Sequence, residues 1–237
     1  MTSALDADVD TEAVVKQYVD DLTLALAELD VGALTGVLRT LVEALRGGRR
    51  ILIAGNGGSS TAAIHIAADL TAASGPLASA PQIMALTENI ARVLAIANDY
   101  SFDEVFSRQL VGRARPGDVL LLLSVSGRSI NLVRAAKTGR EIGMTVLAAL
   151  GDAGGLAALA DRSVVFGQAD YGLTEDLHVA LGHMAVRVLS GGDACRYRGA
   201  STEPGTGEAG SAETTTGAGS GSAAGAAPAP GESWERW

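Results

Sequence analysis

The 237-residue chain has a single cysteine, Cys195. That excludes an intramolecular disulfide and any cysteine-based metal cluster. Aromatic residues are only 4% of the chain, so a core must be built from Ala, Val, Leu and Ile. Such small side chains suit helices packed closely on a parallel sheet. Positive charge is short as well, with a formal net charge of −9. An acidic surface argues against a nucleic-acid partner, which needs basic patches. It does not argue against a small anion held by backbone amides. No uninterrupted apolar run reaches the roughly 18 residues of a spanning helix, so no membrane partner is expected. The opening MTSALDADVDTEAV is acidic and lacks a basic segment before an apolar run. No secretory leader is therefore read, and a soluble cytoplasmic protein is expected.

What is present is apolar and ordered in blocks. Hydrophobic residues make up 47% of the chain. Residues 1–10 read as a flexible start, 11–192 as one domain, and 199–237 as a disordered low-complexity tail. From Gly199 to Gly231 there is only Gly, Ala, Ser, Thr, Glu and Pro, which cannot offset its ordering entropy by burial. Helical periodicity predicts helices over Thr11–Leu29, with Thr11 as N-cap, and over Val31–Leu45. Strands are predicted at Ile51–Ala54, Ile83–Leu86, Asp118–Val125, Met144–Ala149 and Ser163–Phe166. Helices between them are predicted at Ser59–Ala73, Asn89–Ala97, Phe102–Gly112, after Ser129 to Ile142, at Gly154–Ala160 and at Leu173–Leu189. Strands alternating with helices predict an α/β fold with three α/β/α layers and a mostly parallel, doubly wound sheet.

Two predicted strands end in Gly/Ser loops that open helices: Gly55-Asn56-Gly57-Gly58-Ser59-Ser60 and Ser124-Val125-Ser126-Gly127-Arg128-Ser129. Ligands of doubly wound folds sit outside such strand ends. Glycines let the backbone approach a ligand closely, and a helix start supplies free amides and a positive dipole end. Serine hydroxyls add neutral donors. Together they suit a phosphate monoester, although each loop alone also reads as a tight turn with an N-cap serine. Neither loop is a Walker loop, and the first lacks the third glycine of a dinucleotide fingerprint. His65 and Asp69, four residues apart, share a helix face. That spacing suits two ligands of one metal or a surface ion pair. The other two histidines, His178 and His183, fall on the last predicted helix, with Glu175 one turn before His178.

Four blocks resemble the sedoheptulose 7-phosphate (phosphoheptose) isomerases of the sugar isomerase (SIS) family. They are GNGGSSTAAIHIAADLT, ALTENIARVLAIANDYSFDEVFSRQL, PGDVLLLLSVSGRSINLVRAAKTGREIGMTVLAAL and LTEDLHVALGHMAVRVL. The resemblance covers roughly Val14 to Leu189. It implies a flavodoxin-like sheet with extra N-terminal helices, and a homotetramer with sites at subunit interfaces. It implies a sugar-phosphate substrate and one zinc ion per subunit, its ligands falling on His65, Asp69, Glu175 and His183. His178 matches a family histidine that is not a ligand. Asp69 and His183 match the acid–base pair of a ketose–aldose interconversion. The resemblance puts Asn56, Gly57, Gly58, Asn98, Asp99 and Glu175 with Asp69 against the sugar. It puts Ser124, Val125, Ser126 and Ser129 on the phosphate.

The chain departs from the family pattern at four points. Asp69 stands where Glu is usual, and Glu175 where Gln is usual. Val125 stands where Thr is usual, losing a hydroxyl. Gly172 stands where an aspartate is usual, with Asp170 near enough in sequence to compensate. The leading expectation is an isomerase for sedoheptulose 7-phosphate or a related long-chain ketose phosphate. The alternative is a non-catalytic tetrameric partner of the replication initiator, which some proteins of this fold are. A transcription regulator would need a basic helix-turn-helix, and the acidic N-terminal helices do not supply one.

Overall fold

The computed structural model describes residues 9–74 and 83–192. Most of the flexible start expected at 1–10, and all of the expected tail, lie outside the described residues, as does Cys195.

The sheet has five parallel strands in the order β2-β1-β3-β4-β5: β1 Ile51–Gly55, β2 Ile83–Ala85, β3 Val119–Ser124, β4 Thr145–Leu150 and β5 Arg162–Val165. This is the flavodoxin-like order, in which the connection reverses between β1 and β3. Around it lie α1 Thr11–Ala27, α2 Val31–Arg46, α3 Gly58–Ser74, α4 Ile90–Asp99, α5 Ser107–Leu110, α6 Ile130–Ile142 and α7 Tyr171–Leu189. Side chains alternate across a strand, and the two faces of the sheet separate accordingly. Ile51, Ile53, Leu121 and Leu123 pack under α2, α3 and α7. Leu52, Ala54, Leu120 and Leu122 pack under α5 and α6. All of β3 is buried, as an apolar run covered on both faces requires. Each leucine so buried contributes about 1.5–3 kcal/mol.

Local chemistry sets the helix starts. The carboxylates of Asp10, Asp30 and Asp170 accept from the amides three residues on, in α1, α2 and α7. Asp10, not Thr11, is therefore the cap of α1, because its extended backbone turns the carboxylate onto the first turn. The continuous helix expected over Phe102–Gly112 is broken into a 3-10 turn at Phe102–Glu104 and the short α5. Burying Val105, Phe106 and Leu110 together outweighs helical continuity here. The expected helix at Gly154–Ala160 shrinks to a 3-10 turn at Ala157–Leu159. No helix among the described residues is long and apolar enough to cross a membrane.

Two helices lie at the margin of the core, touching it through Ala25 of α1 and through Val93, Ile96 and Ala97 of α4. Helix α1 buries only Ala25 and leaves Val14, Val15, Val19 and Leu26 exposed. It is tethered to α7 by the Tyr18 hydroxyl, which donates to Asp176 over 2.7 Å. That bond to a carboxylate pushes the phenol up to about 12. Helix α4 buries no residue completely.

One buried histidine links sheet and helix. His178 is fully buried, with Nε2 3.0 Å from the Ala149 carbonyl oxygen and Nδ1 3.4 Å from the Ser59 hydroxyl. Desolvation lowers its pKa to about 4. The unfolded chain binds a proton near pH 6.5 and the folded chain does not until about pH 4. Stability is therefore full above about pH 6.5 and is lost as pH falls toward 4, by about 3 kcal/mol. Urea titrations of the parent between pH 7 and 4 should show that decline. His178→Asn should be less stable at pH 7 but should lose most of the slope; an unchanged slope would assign it to other groups.

Candidate active site

The switch point between β1 and β3 carries both Gly/Ser loops. After β1, Gly57 turns with φ +55°, and Gly55 lies against Ser59, where a Cβ would stand 2.7 Å from the Ser59 carbonyl oxygen. After β3, the Ser124 hydroxyl accepts from the Gly127 amide at 3.1 Å. Gly127 turns with φ +61° within reach of the Asp152 backbone. Arg128 turns outward and grips both oxygens of Asp152 at 3.0–3.1 Å. The Gly154 amide and then that guanidinium hold the Asp152 carboxyl below its usual range.

The two loops are stitched together by Asn56 and Asn131, whose side-chain amides bond reciprocally at 2.9 and 3.0 Å. Asn131 is nearly fully buried and was missed by the sequence reading. Its signal would have been a polar residue on the inward face of α6, one position into the helix. Between the loops lies a cavity of about 330 Å³. Asn56, Gly57, Gly58 and Ser59 line one side; Ser124, Val125, Ser126 and Ser129 line the other. Ser129 is the N-cap residue of α6 but makes no side-chain cap bond. Among the described residues no cation lines the cavity, and its one acid is Glu175, joined by Tyr171, which the sequence reading also missed.

A second group lies further along α3 and α7. His65 Nε2 is 3.2 Å from Asp69 Oδ2, His183 Nε2 is 3.6 Å from the same oxygen, and the two imidazole nitrogens are 3.3 Å apart. One donor atom from each residue lies within 4.8 Å of the others. Two imidazoles and a carboxylate at that spacing fit a divalent metal such as zinc. The close approach comes from Gly182, where a Cβ would stand 2.6 Å from Ile66 Cγ1.

Not every expected residue joins these groups. Glu175, expected as a fourth metal ligand, is not among the three. Its carboxylate lies over Gly58, in the space a Cβ there would fill. Eight residues separate it from His183, about 12 Å along one helix. It therefore faces the loop cavity. Asn98 and Asp99 sit exposed at the end of α4, hydrogen-bonded to each other at 3.0 Å. They do not line the cavity of their own chain, because α4 follows the edge strand β2 while the cavity opens between β1 and β3.

The SIS domain family matches residues 16–151. The phosphoheptose isomerase of Mycobacterium bovis (strain BCG / Pasteur 1173P2) is 39% identical over 180 residues, which are 74% of this chain and 87% of that protein. The chain belongs to the phosphoheptose isomerase family. A solved phosphoheptose isomerase from Neisseria gonorrhoeae superposes with a TM-score of 0.66 at 29% identity, covering 76% of this chain and 98% of that one. One from Francisella tularensis superposes at 0.69 with 23% identity, covering 77% and 100%, and supports the fold. The five-stranded parallel sheet is thus the sheet of this family.

Gly182→Val should wedge α3 from α7. Overpacking of this kind costs about 1–3 kcal/mol, visible as a lower Tm. Moving His65 from His183 should weaken divalent-metal binding by about 10-fold or more, measured by competition with a chromophoric chelator. Unchanged metal affinity would show that the histidines do not depend on this contact.

Proposed function

We propose that the protein interconverts sedoheptulose 7-phosphate, or a closely related long-chain ketose phosphate, with the corresponding aldose phosphate. The observation that carries this reading is that α3 and α7 together hold two chemistries, one near the start of each helix and one further along. A neutral Gly/Ser cup lies at the starts of α3 and α6, and the His65–Asp69–His183 group lies further along α3 and α7. Gly58 and His65 are seven residues apart, about 10 Å along α3, which leaves room for an open-chain sugar between phosphate and reacting carbons. The relatives' names point to the same class of reaction.

In this reading the hydroxyls of Ser124, Ser126 and Ser129 and the free amides at the start of α6 take the phosphate. Val125 contributes backbone only. Asn56, Gly57 and Gly58 border the sugar, and Glu175 offers a carboxylate to its hydroxyls. Asp69 moves the proton between C1 and C2, and His183 moves protons between the two oxygens. Asp69 directs Oδ2 at both imidazoles, which leaves Oδ1 for the substrate. Zinc held by His65, Asp69 and His183 would polarise the carbonyl and the enediolate.

The reading includes a homotetramer with sites at subunit interfaces and a cytoplasmic location. The exposed apolar faces of α1 and α4 support the assembly, as does the position of Asn98 and Asp99 outside their own chain's cavity. The non-catalytic replication partner is not favoured, because the relatives are named as isomerases and an imidazole–carboxylate group accompanies the phosphate cup.

Incubation with sedoheptulose 7-phosphate in deuterated buffer, with zinc, should give an aldose phosphate labelled at C2. No exchange with any seven- or eight-carbon ketose phosphate would sink the reading. Asp69→Asn and His183→Gln should each lower kcat by at least about 100-fold with unchanged circular dichroism. Asp69→Glu should keep or raise activity. In a separate assay, Ser126→Ala/Ser129→Ala should weaken sugar-phosphate binding roughly 10- to 150-fold; unchanged binding would mean that the loop has been misread.

A further inference from the structure

Away from the groove, at the β2 edge of the sheet, three arginines converge. Two adjoining cavities, of about 450 and 390 Å³, share Arg92, Gln109 and Arg113 as walls. Arg108 also lines the second, its guanidinium 3.4 Å from the centre of the Tyr100 ring. Arg108 pairs with Glu104, but Arg92 and Arg113 form no ion pair among the described residues. Among the described residues Arg113 Nη1 meets only the Met84 sulfur, at 3.2 Å. Arg92 Nη1 is buried with no hydrogen-bond partner, and it is the only charged atom so placed among the described residues. The Thr87 hydroxyl, in the turn just before α4, is buried without a partner too.

A buried, unpaired guanidinium nitrogen is costly, so it calls for an anion. Glu88 lines the first cavity but pairs with neither arginine. Arg92 and Ile96, four residues apart, share the α4 face toward Gln109 and Arg113. Ile90, Leu94 and Asn98 recur at the same spacing on a displaced face, so α4 can meet a neighbour there without closing the arginine side.

We propose that Arg92 and Arg113, flanked by Arg108, form a second anion site, separate from the substrate groove, that takes the phosphate of a small phosphorylated metabolite. Planar guanidinium forks match phosphate oxygens in paired hydrogen bonds. Ile96, Val111 and the Tyr100 ring offer an apolar wall for the organic part. The site does not depend on the isomerase reading.

Equilibrium dialysis with radiolabelled inorganic phosphate tests it. The parent should bind one more phosphate per chain than Arg92→Gln/Arg113→Gln. Ser126→Ala/Ser129→Ala, which alters only the groove, should keep that arginine-dependent phosphate, so a failure of either site is seen separately. Should the double variant not fold, Arg92→Gln alone should bind this phosphate roughly 10- to 150-fold more weakly, and Arg113→Lys should retain it. Equal counts in the parent and the arginine variants would overturn the proposal. So would a phosphate loss that tracks subunit dissociation in sedimentation, which would assign the arginines to a contact between copies of the chain.

Discussion

The contact between α3 and α7 is the constraint on which the rest of the site depends. Gly182 gives α7 no side chain where Ile66 of α3 presses closest, and Ala62, Ala63, Ala67 and Ala185 keep the seam thin. Because the helices lie this close, His65 and His183 face each other across the seam, and Asp69 closes the group one turn on. At the other end of the same pair, Glu175 is carried over Gly58 and into the loop cavity. Helix packing thus sets the distance between the loop cavity and the imidazole–carboxylate group. His178, buried between Ser59 and the Ala149 carbonyl, fastens α7 to the sheet and to the first loop together.

In the proposed reading the phosphate end of the site uses no cation among the described residues. Arg128, the one guanidinium within the second loop, is turned onto Asp152, and the cup is left to hydroxyls, glycine backbone and helix starts. Such donors are fixed by the fold and need no ordering when the ligand arrives. The reciprocal amide bond between Asn56 and Asn131 holds the two loops in register, so the cup is one unit rather than two adjacent turns. The arginine cluster at α4 is a different arrangement, with charged guanidinium forks in place of neutral donors.

Much of this was legible in the chain because it follows from local periodicity. The unbroken apolar run of β3, the alternation of strands and helices, and the two Gly/Ser loops determined a parallel α/β sheet with both loops at its switch point. The i, i+4 spacing of His65 and Asp69 put both on one helix face. What local pattern does not contain is the relation between distant segments. The meeting of His65 with His183 spans 118 residues and depends on how two helices pack. Glu175 could not be separated from the metal group by spacing alone, because its direction is set by where α7 crosses Gly58. Asn131 and Tyr171 went unread for the same reason: each becomes part of the site only when the sheet brings its helix start to the crevice. The break at Phe102–Gly112 was decided by burial of Val105, Phe106 and Leu110, a tertiary preference stronger than the helical rhythm of the segment. The sequence by itself determined the elements and the reactive side chains; the tertiary structure decided which of them share a site, since side-chain proximity depends on packing and not on position in the chain.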